Sequence, residues 1–140
     1  MRNLDPTYMA ICEEIAKLSY CNRKKVGALL VNNGNIISFG YNGTPYGFCN
    51  DCEDSEGNTL DTVMHAESNA ILKCAEQGRS TNGSTLYITM SPCMSCAKLI
   101  IQAKIKKVVY KELYRSASAI YLLEQSNIEI VKYENRKDLL

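Results

Sequence analysis

Residues 64–96 decide the fold, and they read MHAESNAILKCAEQGRSTNGSTLYITMSPCMSC. The stretch opens with a histidine and a glutamate two positions apart, His65 and Glu67. It closes with two cysteines one helical turn apart, Cys93 and Cys96. The chemistry of the chain is expected at these two ends, and the segment between them must bring the ends together.

The spacing of apolar residues inside this stretch predicts a helix–strand–helix unit. The helical pattern over residues 65–77 ends at Gly78, a residue that commonly terminates helices. The segment 85–90 predicts a strand, after which Ser91 can cap a second helix with Pro92 in its first turn. Both reactive ends therefore lie at helix N-termini, which bias nearby thiols toward the thiolate.

The two ends together are typical of a catalytic zinc site. His65 is the only histidine in the chain. With Cys93 and Cys96 it would leave a tetrahedral zinc one open position, unlike a closed structural site. Each half alone has a simpler explanation, since a Cys-x-x-Cys pair can be a redox pair or half of a structural site, and a lone histidine usually packs. Together they match the H-x-E and P-C-x-x-C signature of zinc-dependent nucleobase deaminases.

Glu67 is the expected general acid–base in such a site. Zinc acidifies a water at its open position. Glu67 lies two residues from a ligand, so it can carry a proton from this water to a ring nitrogen, and then one to the amine, which leaves as ammonia. We expect the amide of Ala66 to hold the ring carbonyl, and backbone carbonyls near Ser91 and Pro92 to receive the amine.

The composition predicts one domain over residues 1–140. Hydrophobic residues make up 46% and charged residues 22%, which suits a single core. No apolar run approaches the roughly 20 residues of a membrane span, and the first residues do not begin a signal peptide. The formal net charge of +1 gives no global field that would recruit long nucleic acid. Seven cysteines without an export signal favour a reducing, cytoplasmic compartment, with the thiols used for metal binding or packing.

The remaining patterns predict a mixed sheet covered by helices on both faces. Pro6 follows Asp5, the expected cap of an opening helix that ends near Ser19. An Asn-Gly turn between two apolar runs predicts a hairpin. The loop over residues 48–62 is acidic and long enough to suspect function or mobility. Strands are expected at 26–31, 36–41, 85–90, 107–111 and 128–131, and helices after residues 5, 65, 91 and 116. The fold class is α/β, a three-layer α/β/α sandwich.

Four motifs resemble the deoxycytidylate (dCMP) deaminase family. They are Arg23-Lys24-Lys25-Val26-Gly27-Ala28, Gly40-Tyr41-Asn42-Gly43-Thr44-Pro45, His65-Ala66-Glu67 and Pro92-Cys93-Met94-Ser95-Cys96. The metal motif is common to cytidine-deaminase-like enzymes, whereas the Gly-Tyr-Asn-Gly-Thr-Pro loop resembles the nucleotide enzyme more narrowly. Leu113-Tyr114-Arg115-Ser116 and the Cys49/Cys52 pair resemble bacterial and phage members. The resemblance covers nearly the whole chain and implies a cytidine-deaminase-like sandwich with a mixed five-stranded sheet.

The resemblance also implies a substrate, effectors and an assembly. The substrate would be dCMP, hydrolysed to dUMP for thymidylate synthesis in the cytoplasm, or in the host cytoplasm if the chain is phage-encoded. Asn42 would hold the deoxyribose hydroxyl within a loop that includes Thr44, and Arg115 with Arg23 would bind the phosphate beside Tyr114. The family is typically a hexamer, activated by dCTP with Mg²⁺ and inhibited by dTTP.

The effector is expected near the loop over residues 42–48, at a subunit contact. The candidate residues are Asn22, Gly43, Tyr46 and Phe48. Aromatic side chains could stack on an effector base, and a glycine-rich loop offers amides to a triphosphate.

The cysteines outside the catalytic motif leave two alternatives open. Cys49 and Cys52 repeat the Cys-x-x-Cys spacing, and with Cys21 they could hold a second, structural zinc. Asp51, Glu53 or a water would have to supply the fourth ligand. The alternative is that these cysteines are exposed, reduced thiols.

Three rival functions have to be distinguished. A deaminase of free cytidine would not need Arg115 and Arg23 near its pocket, and a tRNA adenosine deaminase would be expected to carry a broader basic surface. A zinc-stabilised binding module without turnover would unfold when its metal is removed. Such a module has no use for Glu67, so the sequence favours an enzyme.

Overall fold

The computed structural model describes residues 2–114 and 117–135, which form one sheet flanked by helices. The helices are α1 Asp5–Ala16, α2 Ala66–Gln77, α3 Met94–Gln102 and α4 Ser118–Gln125. The strands are β1 Gly27–Asn32, β2 Asn35–Tyr41, β3 Thr85–Met90, β4 Lys107–Glu112 and β5 Glu129–Lys132. Every predicted element within these ranges is present, with boundaries shifted by a few residues. No helix of the described ranges is long and apolar enough to cross a membrane.

The sheet is mixed, as predicted. Its five strands follow the order β2-β1-β3-β4-β5. β1 pairs antiparallel with β2 through the predicted Asn-Gly hairpin, and it also pairs antiparallel with β3. β3, β4 and β5 are mutually parallel, with α3 and α4 as the connections between them. The α2–β3–α3 segment thus brings the two reactive ends to one side of the sheet.

Alternation along the strands divides the apolar residues between two cores. One core packs α1 against one face of the sheet, with Met9 and Cys12 beside Leu29 and Val109. The other core covers the opposite face with α2, α3 and α4. Its fully buried members include Ala28, Leu30, Ala70, Leu86, Ile88, Ala97, Ile100, Val108 and Leu123. The three-layer α/β/α sandwich predicted from the sequence is therefore confirmed.

Two predicted helix caps are wrong. Leu4, rather than Asp5, is the N-cap of α1, and the Asp5 carboxylate accepts a hydrogen bond of 2.6 Å from the hydroxyl of Tyr87. Cys93, rather than Ser91, is the N-cap of α3. Ser91 is buried before the helix, and its Oγ accepts a hydrogen bond of 2.6 Å from the amide of Tyr114. Each of these side chains thus accepts a hydrogen bond from a residue distant in the sequence instead of capping the nearby helix.

Candidate metal centre and substrate pocket

The starts of α2 and α3 bring His65, Cys93 and Cys96 together. His65 and Cys93 are the N-cap residues of the two helices, both with extended backbone. His65 Nδ1 lies 3.4 Å from Cys93 Sγ and 3.3 Å from Cys96 Sγ. A tetrahedral zinc with ordinary bond lengths separates its nitrogen and sulfur ligands by about 3.5 Å. One imidazole and two sulfurs at this spacing therefore fit a zinc ion.

The two sulfurs of this cluster share a proton unequally. Hydrogen bonds from Cys96 and then from His65 lower the pKa of the Cys93 thiol. The hydrogen bond with Cys93 raises the pKa of the Cys96 thiol, and burial raises it further. The hydroxyl of Ser68, in the first turn of α2, lies 3.6 Å from Cys96 Sγ. A cation bound here would replace the shared proton, as expected for thiolate ligands.

Glu67 lies beside this cluster in the first turn of α2. Only 3% of its surface is exposed. Burial raises the pKa of its carboxyl group to about 7. A carboxyl group with a pKa near neutrality can both accept and release a proton, which is the property required of a general acid–base.

A cavity of about 480 Å³ opens onto these groups. We call this cavity the substrate pocket. The site residues predicted from the sequence that line it are His65, Ala66, Glu67, Ser91, Cys93, Asn42, Arg23 and Tyr114. Cys96 and Pro92 are buried and do not line the cavity. Thr44 lies in a neighbouring loop cavity, where its hydroxyl donates to the carbonyl of Cys49 at 2.8 Å. Arg115 lies outside the described residues.

Asn42 joins the end of β2 to the segment before β1. Its Oδ1 accepts a hydrogen bond of 2.9 Å from the amide of Val26, and its Nδ2 donates one of 2.8 Å to the carbonyl of Lys24. A primary amide has two donor hydrogens and two acceptor lone pairs, so one of each is left for a ligand. Asn42 therefore supports the pocket wall while it also lines the pocket.

The lining of the pocket also includes basic side chains. Arg23 and Lys24 both line it. The Lys24 ammonium forms an ion pair of 2.9 Å with Glu112, and both side chains are about half exposed. The backbone of Tyr114 is fixed here by its hydrogen bond to Ser91. The pocket therefore carries basic side chains as well as the reactive cluster.

The sequence did not identify the acidic loop as a wall of the pocket. Its length suggested a function, but no motif indicated which residues face inward. The loop residues that line the pocket are Glu53, Asn58, Thr59, Leu60 and Asp61, and Val63, just after the loop, also lines it.

Of the three cysteines predicted to hold a second zinc, the structure brings Cys21 and Cys52 together, whereas Cys49 is not part of this group; the zinc itself stays a prediction. Cys21 and Cys52 are buried and joined by a disulfide, so they are not exposed reduced thiols. Hydrogen bonds within the acidic loop, including one of 2.7 Å from Leu60 N to Cys52 O, turn Cys52 inward. Cys49 stays exposed, with its sulfur 3.8 Å from Asp51.

Glu53, which the sequence offered as a possible fourth ligand, is the third member of this second cluster. Its carboxylate and the sulfurs of Cys21 and Cys52 lie within 4.8 Å of one another. One carboxylate oxygen accepts a hydrogen bond of 3.0 Å from the amide of Asn22. The other oxygen is buried and has no hydrogen-bond partner among the described residues. We call these three residues the loop cluster.

Three of the four effector candidates lie together. Gly43, Tyr46 and Phe48 line a cavity of about 540 Å³ beside α2. Tyr46 is fully exposed and Phe48 is two-thirds exposed. Asn22 lies apart from them, next to the loop cluster.

Comparisons with known proteins give consistent results. The profile of the family described as "Cytidine and deoxycytidylate deaminase zinc-binding region" matches residues 2–112. The crystal structure of dCMP deaminase from the cyanophage S-TIM5 in complex with dCMP and dUMP superposes with a TM-score of 0.92. It is 44% identical and covers 95% of this chain and 99% of that one.

Two curated relatives extend the similarity to bacteria and to another phage. ComE operon protein 2 of Bacillus subtilis is 39% identical over 132 residues, which cover 91% of this chain and 69% of the relative. Deoxycytidylate deaminase of Enterobacteria phage T4 is 35% identical over 149 residues, which cover 77% of each protein.

Proposed function

Because the chain belongs to the cytidine and deoxycytidylate deaminase family, we propose that it hydrolyses dCMP to dUMP and ammonia. One observation carries this proposal: a single cavity joins His65, Cys93 and the buried Glu67 to the basic side chains of Arg23 and Lys24. The first group suits hydrolysis at an aminated ring, and the second suits a phosphate. A phosphorylated aminopyrimidine nucleoside would contact both groups, with its ring at the first and its phosphate at the second.

His65, Cys93 and Cys96 would hold the zinc, which lowers the pKa of a water bound to it. Glu67 performs the proton transfers. Its carboxylate would take a proton from the attacking water and deliver it to the ring nitrogen. It would then take the remaining proton of the added hydroxyl group, as the ring carbonyl forms, and give it to the amine, which leaves as ammonia. Burial of Glu67 keeps the pKa of its carboxyl group near 7, so both transfers are accessible at neutral pH.

Backbone groups at the helix starts orient the base. The amide of Ala66, in the first turn of α2, is one of the free donors of a helix N-terminus and would hold the ring carbonyl. Carbonyls at Ser91 and Pro92, before α3, would receive the amine. The remaining donor and acceptor of Asn42 would bind the deoxyribose hydroxyl. These contacts would hold the ring beside Glu67.

The phosphate would be bound by basic side chains of the pocket. Arg23 and Tyr114 both line the pocket. Arg115 is the second proposed phosphate ligand because it follows Tyr114 directly in the chain. A charge-assisted hydrogen bond to phosphate contributes roughly 1.5–3 kcal/mol, which corresponds to about a 10- to 150-fold change in affinity.

A comparison of three substrates tests the proposal. Ammonia release from dCMP should exceed that from deoxycytidine and cytidine. Arg23→Ala should raise the KM for dCMP by about tenfold or more and leave that for deoxycytidine nearly unchanged. Arg115→Ala should behave in the same way. Arg2→Ala is the matched control, because this exposed arginine does not line the pocket.

Other outcomes identify the rival functions. Equal turnover of dCMP and deoxycytidine would favour a nucleoside deaminase, and release of ammonia only from tRNA would favour an adenosine enzyme. A zinc-loaded protein inactive on all of these substrates, which unfolds when its zinc is removed, would be a binding module.

Regulation and assembly form a further part of the proposal. A homo-hexamer activated by dCTP with Mg²⁺ and inhibited by dTTP would supply dUMP for thymidylate synthesis in the cytoplasm. The exposed rings of Tyr46 and Phe48, at the cavity beside α2, support an effector site there. Sigmoidal dCMP kinetics that become hyperbolic with dCTP would support this regulation, whereas hyperbolic kinetics unaffected by either triphosphate would contradict it.

The second zinc remains a proposal with a changed ligand set. Cys21, Cys52 and Glu53 could hold it only when both cysteines are reduced, because a disulfide provides no thiolate. The buried, unpartnered oxygen of Glu53 supports a cation at this position. Metal analysis of reduced protein should give two zinc ions per chain, falling to one in Cys52→Ser.

A further inference from the structure

The chain contains three Asn-Gly sequences, and each of them lies outside the helices and strands. They are Asn33-Gly34 between β1 and β2, Asn42-Gly43 after β2, and Asn82-Gly83 before β3. An asparagine can lose its side-chain amide when the main-chain nitrogen of the next residue attacks the carboxamide carbon. Glycine favours this attack because it has no side chain and restricts the main chain least. The fold determines which of the three sequences is free to react.

Asn42-Gly43 is held at both of the groups that would have to meet. The Asn42 carboxamide accepts a hydrogen bond of 2.9 Å from the amide of Val26 and donates one of 2.8 Å to the carbonyl of Lys24. The amide of Gly43 donates to the carbonyl of Met64 at 3.1 Å. Three hydrogen bonds must therefore break before the Gly43 nitrogen can reach the Asn42 carboxamide.

Asn82-Gly83 is held at one of these groups. Asn82 is exposed, so its carboxamide is open to solvent. The amide of Gly83, however, donates a hydrogen bond of 2.8 Å to the carbonyl of Lys104. The Gly83 nitrogen must give up this bond before it can turn toward the carboxamide. One hydrogen bond therefore protects this sequence.

Asn33-Gly34 is held at neither group. Both residues are exposed, and they form the two-residue turn between Asn32 and Asn35, which pair across the hairpin. Within residues 2–114 and 117–135, neither the Asn33 carboxamide nor the Gly34 amide forms a hydrogen bond. The space beside Gly34 is open, since a Cβ atom there would meet nothing within 4 Å. Both reacting groups are therefore accessible in the folded protein.

We propose that Asn33 is a site of spontaneous deamidation at the tip of the β1–β2 hairpin. The Gly34 nitrogen bonds to Cγ of Asn33, and the Asn33 side-chain nitrogen leaves as ammonia with the proton of the Gly34 amide. Water then opens the resulting succinimide ring. Breaking the bond between Cγ and the Gly34 nitrogen gives aspartate at position 33, whereas breaking the main-chain bond gives isoaspartate. In both products the Gly34 nitrogen regains its proton, and the oxygen of the water enters the new carboxylate.

The new carboxylate changes the protein at a distance from its substrate pocket. It lowers the formal net charge from +1 by one unit. Isoaspartate also adds one main-chain carbon to the turn, so the two-residue turn geometry is lost. The turn lies at the opposite end of β1 from Val26, which lines the pocket. The six residues of β1 span about 20 Å, so the reaction should leave the pocket unchanged.

Peptide mapping by mass spectrometry of the full-length, zinc-loaded protein tests the proposal. Incubation in heavy-oxygen water labels each carboxylate that forms during the incubation and so excludes earlier damage. Deamidation at Asn33 should be at least about fivefold faster than at Asn82, the factor that one net hydrogen bond contributes. It should be about a hundredfold faster than at Asn42, where three such bonds must break. An isoaspartyl carboxyl methyltransferase should methylate the peptide that contains position 33, because ring opening forms isoaspartate.

The same mapping on the chain denatured in urea is the control for local sequence. All three asparagines precede glycine, so the differences between their rates should disappear when the hydrogen bonds of the fold are lost. If Asn33 leads by the same factor in urea, the flanking residues select it and the proposal is wrong. Equal rates at Asn33 and Asn82 in the folded protein would also overturn it.

Two variants connect the modification to the position. Asn33→Asp begins as one of the products, so it should remove the acidic form that isoelectric focusing detects in aged protein. Asn82→Asp is the matched control, and the acidic form should still accumulate in it. Both variants should keep the kcat and KM of the natural chain, because neither residue lines the substrate pocket. An acidic form that accumulates at the natural rate in Asn33→Asp would overturn the assignment.

Discussion

Two clusters of three side chains that could hold a metal ion lie beside the same pocket, and they are built differently. His65, Cys93 and Cys96 lie at the starts of two helices that pack on the sheet. The loop cluster of Cys21, Cys52 and Glu53 lies entirely between regular elements. The helical cluster has its geometry set by the fold, whereas the loop cluster depends on a covalent bond that can be broken.

Contacts between α2 and β2 explain how the fold sets this geometry. Asn69 Nδ2 donates to the carbonyl of Tyr41 at 2.8 Å, and the hydroxyl of Ser38 donates to the carbonyl of Ala70 at 2.7 Å. A Cβ atom on Gly40 would lie 2.3 Å from the carbonyl oxygen of Ala66, so only glycine permits this approach. The helix that carries Glu67 is thereby fixed to the sheet.

The largest expected difference between the clusters concerns their glutamates. Glu67→Gln should lower kcat at least about 10²-fold, because an amide of nearly the same shape cannot transfer protons. Glu53→Gln is the matched variant. It should leave kcat within about threefold of the natural chain, because Glu67 and not Glu53 transfers the protons. Steady-state kinetics on zinc-loaded protein measures both.

Zinc content and Tm provide the control for this pair, and Glu67→Gln should change neither. Near-normal turnover by zinc-loaded Glu67→Gln would contradict the mechanism. A loss of kcat in Glu53→Gln as large as in Glu67→Gln would remove the functional distinction between the clusters.

A second comparison uses two glycines on opposite faces of the sheet. Gly40→Ala and Gly27→Ala should each lower the free energy of unfolding by at least about 2 kcal/mol, because the added Cβ would meet backbone atoms. For Gly27 the nearest is the carbonyl oxygen of Cys12 in α1, at 2.1 Å. Only Gly40→Ala displaces α2, so only this variant should also weaken zinc binding.

Denaturant unfolding and chelator competition on the folded fraction measure the two effects separately. If the two variants lose zinc equally, the position of α2 against β2 does not determine the geometry of the helical cluster.

The fold was predictable because its signals are local and repeated. Apolar periodicity located the helices, and the Asn-Gly turn located the β1–β2 hairpin. The helix caps were predicted less well, because they depend on distant partners. Asp5 binds Tyr87 and Ser91 binds Tyr114, and neither contact leaves a signal near the helix start.

The same reasoning explains what the sequence revealed of the two clusters. A Cys-x-x-Cys pair at a helix start has one geometry, so the meeting of Cys93 and Cys96 with His65 could be expected from spacing. The same spacing in a loop has no fixed geometry, and there Cys52 turned inward while Cys49 stayed exposed. Glu53 was one of the ligands that the sequence offered, but the position of Cys49 outside the cluster depends on loop hydrogen bonds that leave no motif.

The smallest expected effect concerns the support of the helical cluster by a neighbouring hydroxyl. The Ser68 hydroxyl lies 3.6 Å from Cys96 Sγ, and both residues belong to helices whose positions the core fixes. A hydroxyl that donates to a sulfur ligand stabilises its thiolate form, which is the form that binds metal. Among the described residues, no side-chain hydroxyl forms a hydrogen bond with either sulfur of the loop cluster.

Ser68→Ala should weaken zinc binding by about tenfold, the low end of the effect expected for partners of metal ligands. Ser68→Thr keeps the hydroxyl and should retain most of the affinity. Competition with a chelator of known affinity measures the change, and the Tm of zinc-loaded protein should differ little between the two variants. If Ser68→Ala and Ser68→Thr bind zinc equally, the hydroxyl does not support Cys96, and the helical cluster depends on backbone geometry alone.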